Sequence, residues 1–154
     1  MNELIEKLKS EDSEERENAR LKLVEMGHKV VDDLAPLCNS NDHKTRWEAA
    51  KALVQIHDEK SIPSFIKNLE NDDMDVRWLC SEGLIKTGKE GLKQLLLALI
   101  EKPDSYKLRK AAHHVLMDTD IVSIHDERKP LLEALNSSVV SSIPVEAEKL
   151  KNKL

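Results

Sequence analysis

Asp42-His43-Lys44-Thr45-Arg46-Trp47-Glu48-Ala49-Ala50-Lys51-Ala52-Leu53 is answered, 31 residues later, by Asp73-Met74-Asp75-Val76-Arg77-Trp78-Leu79-Cys80-Ser81-Glu82-Gly83-Leu84. Aligning the chain on the arginines of these two stretches brings in two more. Arg16, Arg46, Arg77 and Arg109 stand 30, 31 and 32 residues apart. Asp12, Asp42 and Asp73 lie four residues before the first three, and Ser105, next to Asp104, before the fourth. A small residue follows three positions on (Ala19, Ala49, Cys80, Ala112), then a leucine at seven (Leu23, Leu53, Leu84, Leu116). Self-similarity at such a period is the mark of a repeat architecture.

Offsets of 0, 3, 4 and 7 share one face of a helix. The small residue admits a neighbouring helix and the leucine fills the space beside it. Gly27 and Gly88, eleven residues after their arginines, suit the left-handed position that ends a helix. A second helix is predicted in each unit: Val30–Cys38, Ser61–Glu70, Glu90–Lys102 and roughly Lys129–Asn136. Pro63 and Pro130 stand near helix starts, where the missing amide has no intrahelical partner anyway. Pro36 predicts a short or kinked helix in the first unit. Neither helix of a pair hides its apolar face alone, so the pairs must stack.

The ends differ from the middle. Shifted by 61 residues, Ile66, Leu69, Asp72 and Asp73 fall on Ile5, Leu8, Glu11 and Asp12, so residues 1–10 form a capping helix of the second type. Repeats fill 11–135. A serine-rich break, Asn136–Ser142, precedes a polar helix, Val145–Leu154, which is either a C-terminal cap or a partly ordered tail. The whole is one domain of 154 residues.

Asp72-Asp73-Met74-Asp75-Val76-Arg77, Arg46-Trp47-Glu48-Ala49-Ala50-Lys51-Ala52-Leu53 and Ser61-Ile62-Pro63-Ser64-Phe65-Ile66 together resemble the short HEAT-like repeat of phycobilisome lyases. The resemblance covers about residues 1–135. It implies an all-α fold, a right-handed α-solenoid of about four helical hairpins, whose second helices line a concave face that binds protein or peptide partners. The function that follows is a non-enzymatic scaffold or adaptor; the alternative is a lyase- or chaperone-type enzyme, or enzyme subunit, of phycobilisome-lyase kind.

Bulk composition narrows the partners. A net charge of −5 is unfavourable for nucleic acid, which requires a concentrated basic surface. The longest apolar run, Leu95–Ile100, is too short for a membrane span, and Met1–Ser10 lacks the apolar stretch of a signal peptide. Cys38 and Cys80, 42 residues apart and without a CxxC motif, read as buried thiols in the reducing cytoplasm. A monomer or weak homodimer is expected.

Several residues invite a sharper reading. The column Arg16, Arg46, Arg77 and Arg109 lies inside the apolar stripe, so each guanidinium is part-buried and needs an acceptor. Asp12, Asp42 and Asp73 are expected to supply it while capping their own helices, which makes a structural ladder; anion binding is the alternative. Trp47 and Trp78, one position beyond their arginines, are either wedges between repeats or an anchor for a partner. The resemblance adds a comparison with deoxyhypusine hydroxylase, which begins its metal-binding helices with His-Glu; the matching pairs here are Trp47-Glu48 and Trp78-Leu79. His113 and His114 diverge by about 100° on one helix. No metal, cofactor or catalytic residue is therefore expected. The tryptophans and the aspartate and arginine columns also match the residue types in the groove of a HEAT-like alkylpurine DNA glycosylase, without its motif. On the second helices, Lys67, Asn68, Lys89, Lys93 and Gln94 are expected to face solvent and to meet the partner.

Overall fold

The computed structural model describes residues 1–154. It consists of ten α-helices and no strand: α1 (Asn2–Lys7), α2 (Ser13–Glu25), α3 (Val31–Leu34), α4 (His43–Ile56), α5 (Ile62–Asn68), α6 (Met74–Lys86), α7 (Gly88–Glu101), α8 (Tyr106–Asp118), α9 (Lys129–Asn136) and α10 (Ser142–Lys151). Short 3-10 turns at Gly27–Val30, Ala35–Asn39, Glu59–Ser61 and Val122–Ile124 complete the path.

Helix boundaries follow from local chemistry. The Asp12 carboxylate accepts the Glu14 amide, Asp42 accepts Thr45, and Asp73 accepts Asp75 and Val76, so each aspartate caps its helix. Such a cap stabilises by about 1 kcal/mol. Ser105 does the same for α8 through Leu108. Gly27 and Gly88 adopt φ of +62° and +61° at the turns that follow α2 and α6. His57 holds the same left-handed region after α4, at φ 53°, and its Nε2 donates to the Lys86 carbonyl at 2.6 Å. Pro36 limits the second helix of the first unit to the single turn α3, flanked by the 3-10 turns Gly27–Val30 and Ala35–Asn39. Pro63 and Pro130 sit in the first turns of α5 and α9.

The helices form two layers. In the first, α2 packs on α4, α4 on α6, and α6 on α8. In the second, α5 lies between the Ala35–Asn39 turn and α7. The leucine column is fully buried between them (Leu23, Leu53, Leu84 and Leu116), as are the small residues Ala49, Cys80 and Ala112. Each such leucine contributes about 1.5–3 kcal/mol. One contiguous cluster of buried apolar side chains runs from Leu8 to Leu150.

The C-terminal segment is a docked helix and not a loose tail. It starts at Ser142, three residues earlier than expected, because Pro144 is tolerated in the first turn. α10 lies along α7 and against α9, with Ile143, Ala147 and Leu150 buried. No helix is long and apolar enough to cross a membrane.

Candidate functional site

The arginine column forms struts, but not with the expected partners. Arg46 donates through Nη1 to the Ser40 and Asn41 carbonyls, at 2.9 and 3.1 Å, tying its helix to the preceding turn. Its Nε and Nη2 reach the Asp73 carboxylate of the following repeat at 3.0 and 2.9 Å. Arg16 and Arg77 repeat the turn contacts, with Ser10 and Glu11, and with Asn71 and Asp72. The aspartate four residues earlier never receives its own arginine, because its oxygens are directed at the free amides of the helix start. Arg109 departs further: its side chain makes no hydrogen bond or ion pair, and its Nε is buried without a partner.

Asp73 thus caps α6 and anchors the previous repeat. Burial works against its charged form, but bonds from His43 and Arg46 and the Val76 amide outweigh that and hold its carboxyl below the usual range. The Thr45 hydroxyl and amide do the same for Asp42. Burial instead pushes the Cys38 thiol up to about 11 and raises Cys80 as well.

A second strut was not foreseen from the sequence. Arg20 and Glu48 are the most deeply buried ion pair, with side chains 3% and 4% exposed and Nε 2.8 Å from Oε2. Arg20 also donates to Gln55 and to Glu17, and Arg16 Nε lies 3.4 Å from the other Glu48 oxygen. The pair joins α2 to α4. Arg20 has Ala50, Ser81 and His113 as its counterparts, so no repeated column announces it.

Two histidines stand beside pairs of acids. His43 Nδ1 is 2.6 Å from Asp73 and its Nε2 is 3.9 Å from Asp75. His114 Nε2 is 2.9 Å from Glu82 and its Nδ1 is 3.6 Å from Asp118. In each case the two ring nitrogens face different carboxylates. That geometry joins neighbouring helices through the imidazole, and in each set one ligand atom from each residue lies within 4.8 Å of the others, close enough to gather around a metal ion.

The most spacious cavity, about 830 Å³, is a groove between α5 and α7. Its floor is Ile62, Pro63 and Ile66, and its rims include Lys60, Lys67, Glu90 and Gln94. Lys60 is paired with Asp32 at 2.7 Å, and Lys102, at the end of the groove, with Glu70 at 3.0 Å. Lys67 is exposed and carries no ion pair, and Gln94 is tied to Glu90 by a 3.1 Å hydrogen bond. Of the other residues expected here, Lys89 and Lys93 lie on α7 but do not line the groove. Asn68 is withdrawn from any surface role. It is 1% exposed and its amide donates to the Ser64 carbonyl, because the end of α5 needs that bond inside the protein. No residue of α10 lines the groove.

The tryptophans separate. Trp47 is half-buried against the core, with the Lys51 ammonium 4.2 Å from its ring centre. Trp78, one repeat on, is 56% exposed, so the two do not share one role.

Among curated proteins none matches this chain. The sequence profile of HEAT repeats matches residues 1–81, which is more than half of the chain and includes the Arg16 and Arg46 units with the start of the third. With paired helices stacked in two layers on arginine struts, the chain belongs to the HEAT-repeat family.

Proposed function

We propose that this protein is a non-enzymatic scaffold that holds a protein or peptide segment in the groove between α5 and α7. HEAT repeats commonly serve as protein-interaction scaffolds. The observation that carries the reading to this surface is the groove's composition. An apolar floor of Ile62, Pro63 and Ile66 lies beside Lys67, the one rim lysine without an ion pair. Such a surface favours a segment with an apolar anchor flanked by a carboxylate.

The architecture we infer around it is a single domain, 1–154, with residues 1–10 and 136–154 as end caps and four hairpins across 11–135. We take it as a right-handed superhelix whose second helices line the concave side, with repeats of the short phycobilisome-lyase type. Two buried, unpaired thiols fit a reducing compartment, and we place the protein in the cytoplasm.

Site-specific photocrosslinking tests the surface. A photoreactive residue at Lys67 should capture one specific polypeptide in the native cell, and the same group at Lys22, on the first layer, should not. Equal capture at both positions, or none at Lys67, would count against the groove.

A further inference from the structure

The arginine struts end at Arg109, and the manner of ending marks a site. Arg16, Arg46 and Arg77 each place Nη1 on two turn carbonyls, and Arg46 adds the next repeat's carboxylate on Nε and Nη2, whereas Arg16 has Glu48 at 3.4 Å and Arg77 has no carboxylate. At Arg109 the turn carbonyls and the carboxylate are both missing. The turn before α8 carries Pro103 and Asp104, and no repeat follows with an aspartate in the register of Asp73. The guanidinium is left without an acceptor while its Nε is out of water. An unpaired buried donor of this kind is costly, and more so on a charged group.

Beside it opens a cavity of about 390 Å³, lined by Tyr106, Arg109, Lys110 and His113 of α8, by Asn136 at the end of α9 and by Ser138 after it, among others. No carboxylate lines it, although acidic residues outnumber basic ones in the chain by 29 to 24. We infer that this cavity is an oxyanion pocket that takes a phosphate group, free or as a monoester. A tetrahedral dianion is preferred over a planar carboxylate because the donors come from separate directions. The Arg109 fork and the Lys110 ammonium, 5.4 Å from the Tyr106 ring centre, come from α8, with the Tyr106 hydroxyl at its start. The Asn136 amide and the Ser138 hydroxyl come from the end of α9 and just beyond it; the amide reaches His113 Nε2 at 3.4 Å and keeps a second N–H. The site is separate from the α5–α7 groove and does not depend on it.

Titration of the full chain with inorganic phosphate at constant ionic strength, followed by amide and Arg Nε–H NMR, tests the pocket. The expected result is saturable shifts confined to residues 106–113 and 135–138, weakened at least tenfold in R109Q and in K110Q but unchanged in K67Q. R109Q should melt no lower than wild type, since Arg109 bonds to nothing and its unpaired Nε is lost. A phosphoserine peptide that binds tighter than inorganic phosphate places the anion on a polypeptide; equal affinity makes the free ion the ligand, and either result upholds the pocket. The inference is overturned if the shifts do not saturate or survive in R109Q. It is also overturned if a glutamate peptide binds as well as the phosphoserine one, or if R109Q melts as low as R46Q.

Discussion

Replacing Glu48 with methionine removes the carboxylate at the centre of the α2–α4 contact. Arg20, 3% exposed, then keeps only Gln55 and the exposed Glu17 as acceptors, and Arg16 loses its neighbour. Removing one member of a buried pair costs about 3–5 kcal/mol, mainly because the other charge stays buried and uncompensated. The two remaining acceptors place E48M near the lower end, about 3 kcal/mol. An unfolding entropy of about 2.1 cal/mol/K per residue converts this, for 154 residues, into a fall in Tm of about 9 °C. R20M should cost somewhat less, since Arg16 still faces Glu48 at 3.4 Å. The double variant R20M/E48M removes both charges and substitutes apolar volume, and should lie within about 1 kcal/mol of wild type. Urea denaturation of the four proteins gives the coupling energy directly, and it should be at least about 2 kcal/mol. If E48M stays within about 1 kcal/mol of wild type, or if the double variant loses the sum of the singles, the pair is not the strut described here.

Gly83→Ala should destabilise by about 1–3 kcal/mol, because an added Cβ would lie 2.5 Å from the Phe65 ring; F65L should recover part of the loss in thermal melts. The Asp42 and Asp73 carboxyls titrate lower in the fold than in the unfolded chain, so they stabilise above an unfolded value of about 4 and that stabilisation disappears as pH falls through the lower folded values. Stability measured between pH 5 and about pH 2 should therefore fall steeply in wild type and less steeply in D73N; identical acid limbs would refute the assignment. Cys38, with its thiol pushed up to about 11, and Cys80 are both buried, so neither should react with iodoacetamide at pH 8 until the protein unfolds. Rapid modification of the native protein would contradict the burial.

Much of the architecture was legible because it repeats. The Arg, small-residue and leucine columns are properties of every unit, so four copies reveal what one would not. The aspartate caps and the turn glycines Gly27 and Gly88 are local chemistry and were readable for the same reason. What the pattern hid is specific to one place. Arg20 and Glu48 meet only between the first two units, and each column containing them is broken elsewhere. The arginine partners were misread because sequence proximity put Asp42 beside Arg46, whereas the stack brings in Asp73. Asn68 looked like a solvent-facing polar residue, yet α5 turns it inward to bond Ser64. The docking of α10 was signalled faintly by Ile143, Ala147 and Leu150, spaced for one helix face and masked by the charged residues between them.

Whether the α5–α7 groove holds a polypeptide is tested most directly by calorimetric titration of the captured partner segment against wild type and P63E/K67E. Both substituted positions are exposed, so the fold should be unaffected, while the floor gains a charge and the rim reverses one. The expected result is at least a tenfold rise in Kd, about 1.4 kcal/mol or more. An unchanged Kd in a folded variant would show that the partner binds elsewhere.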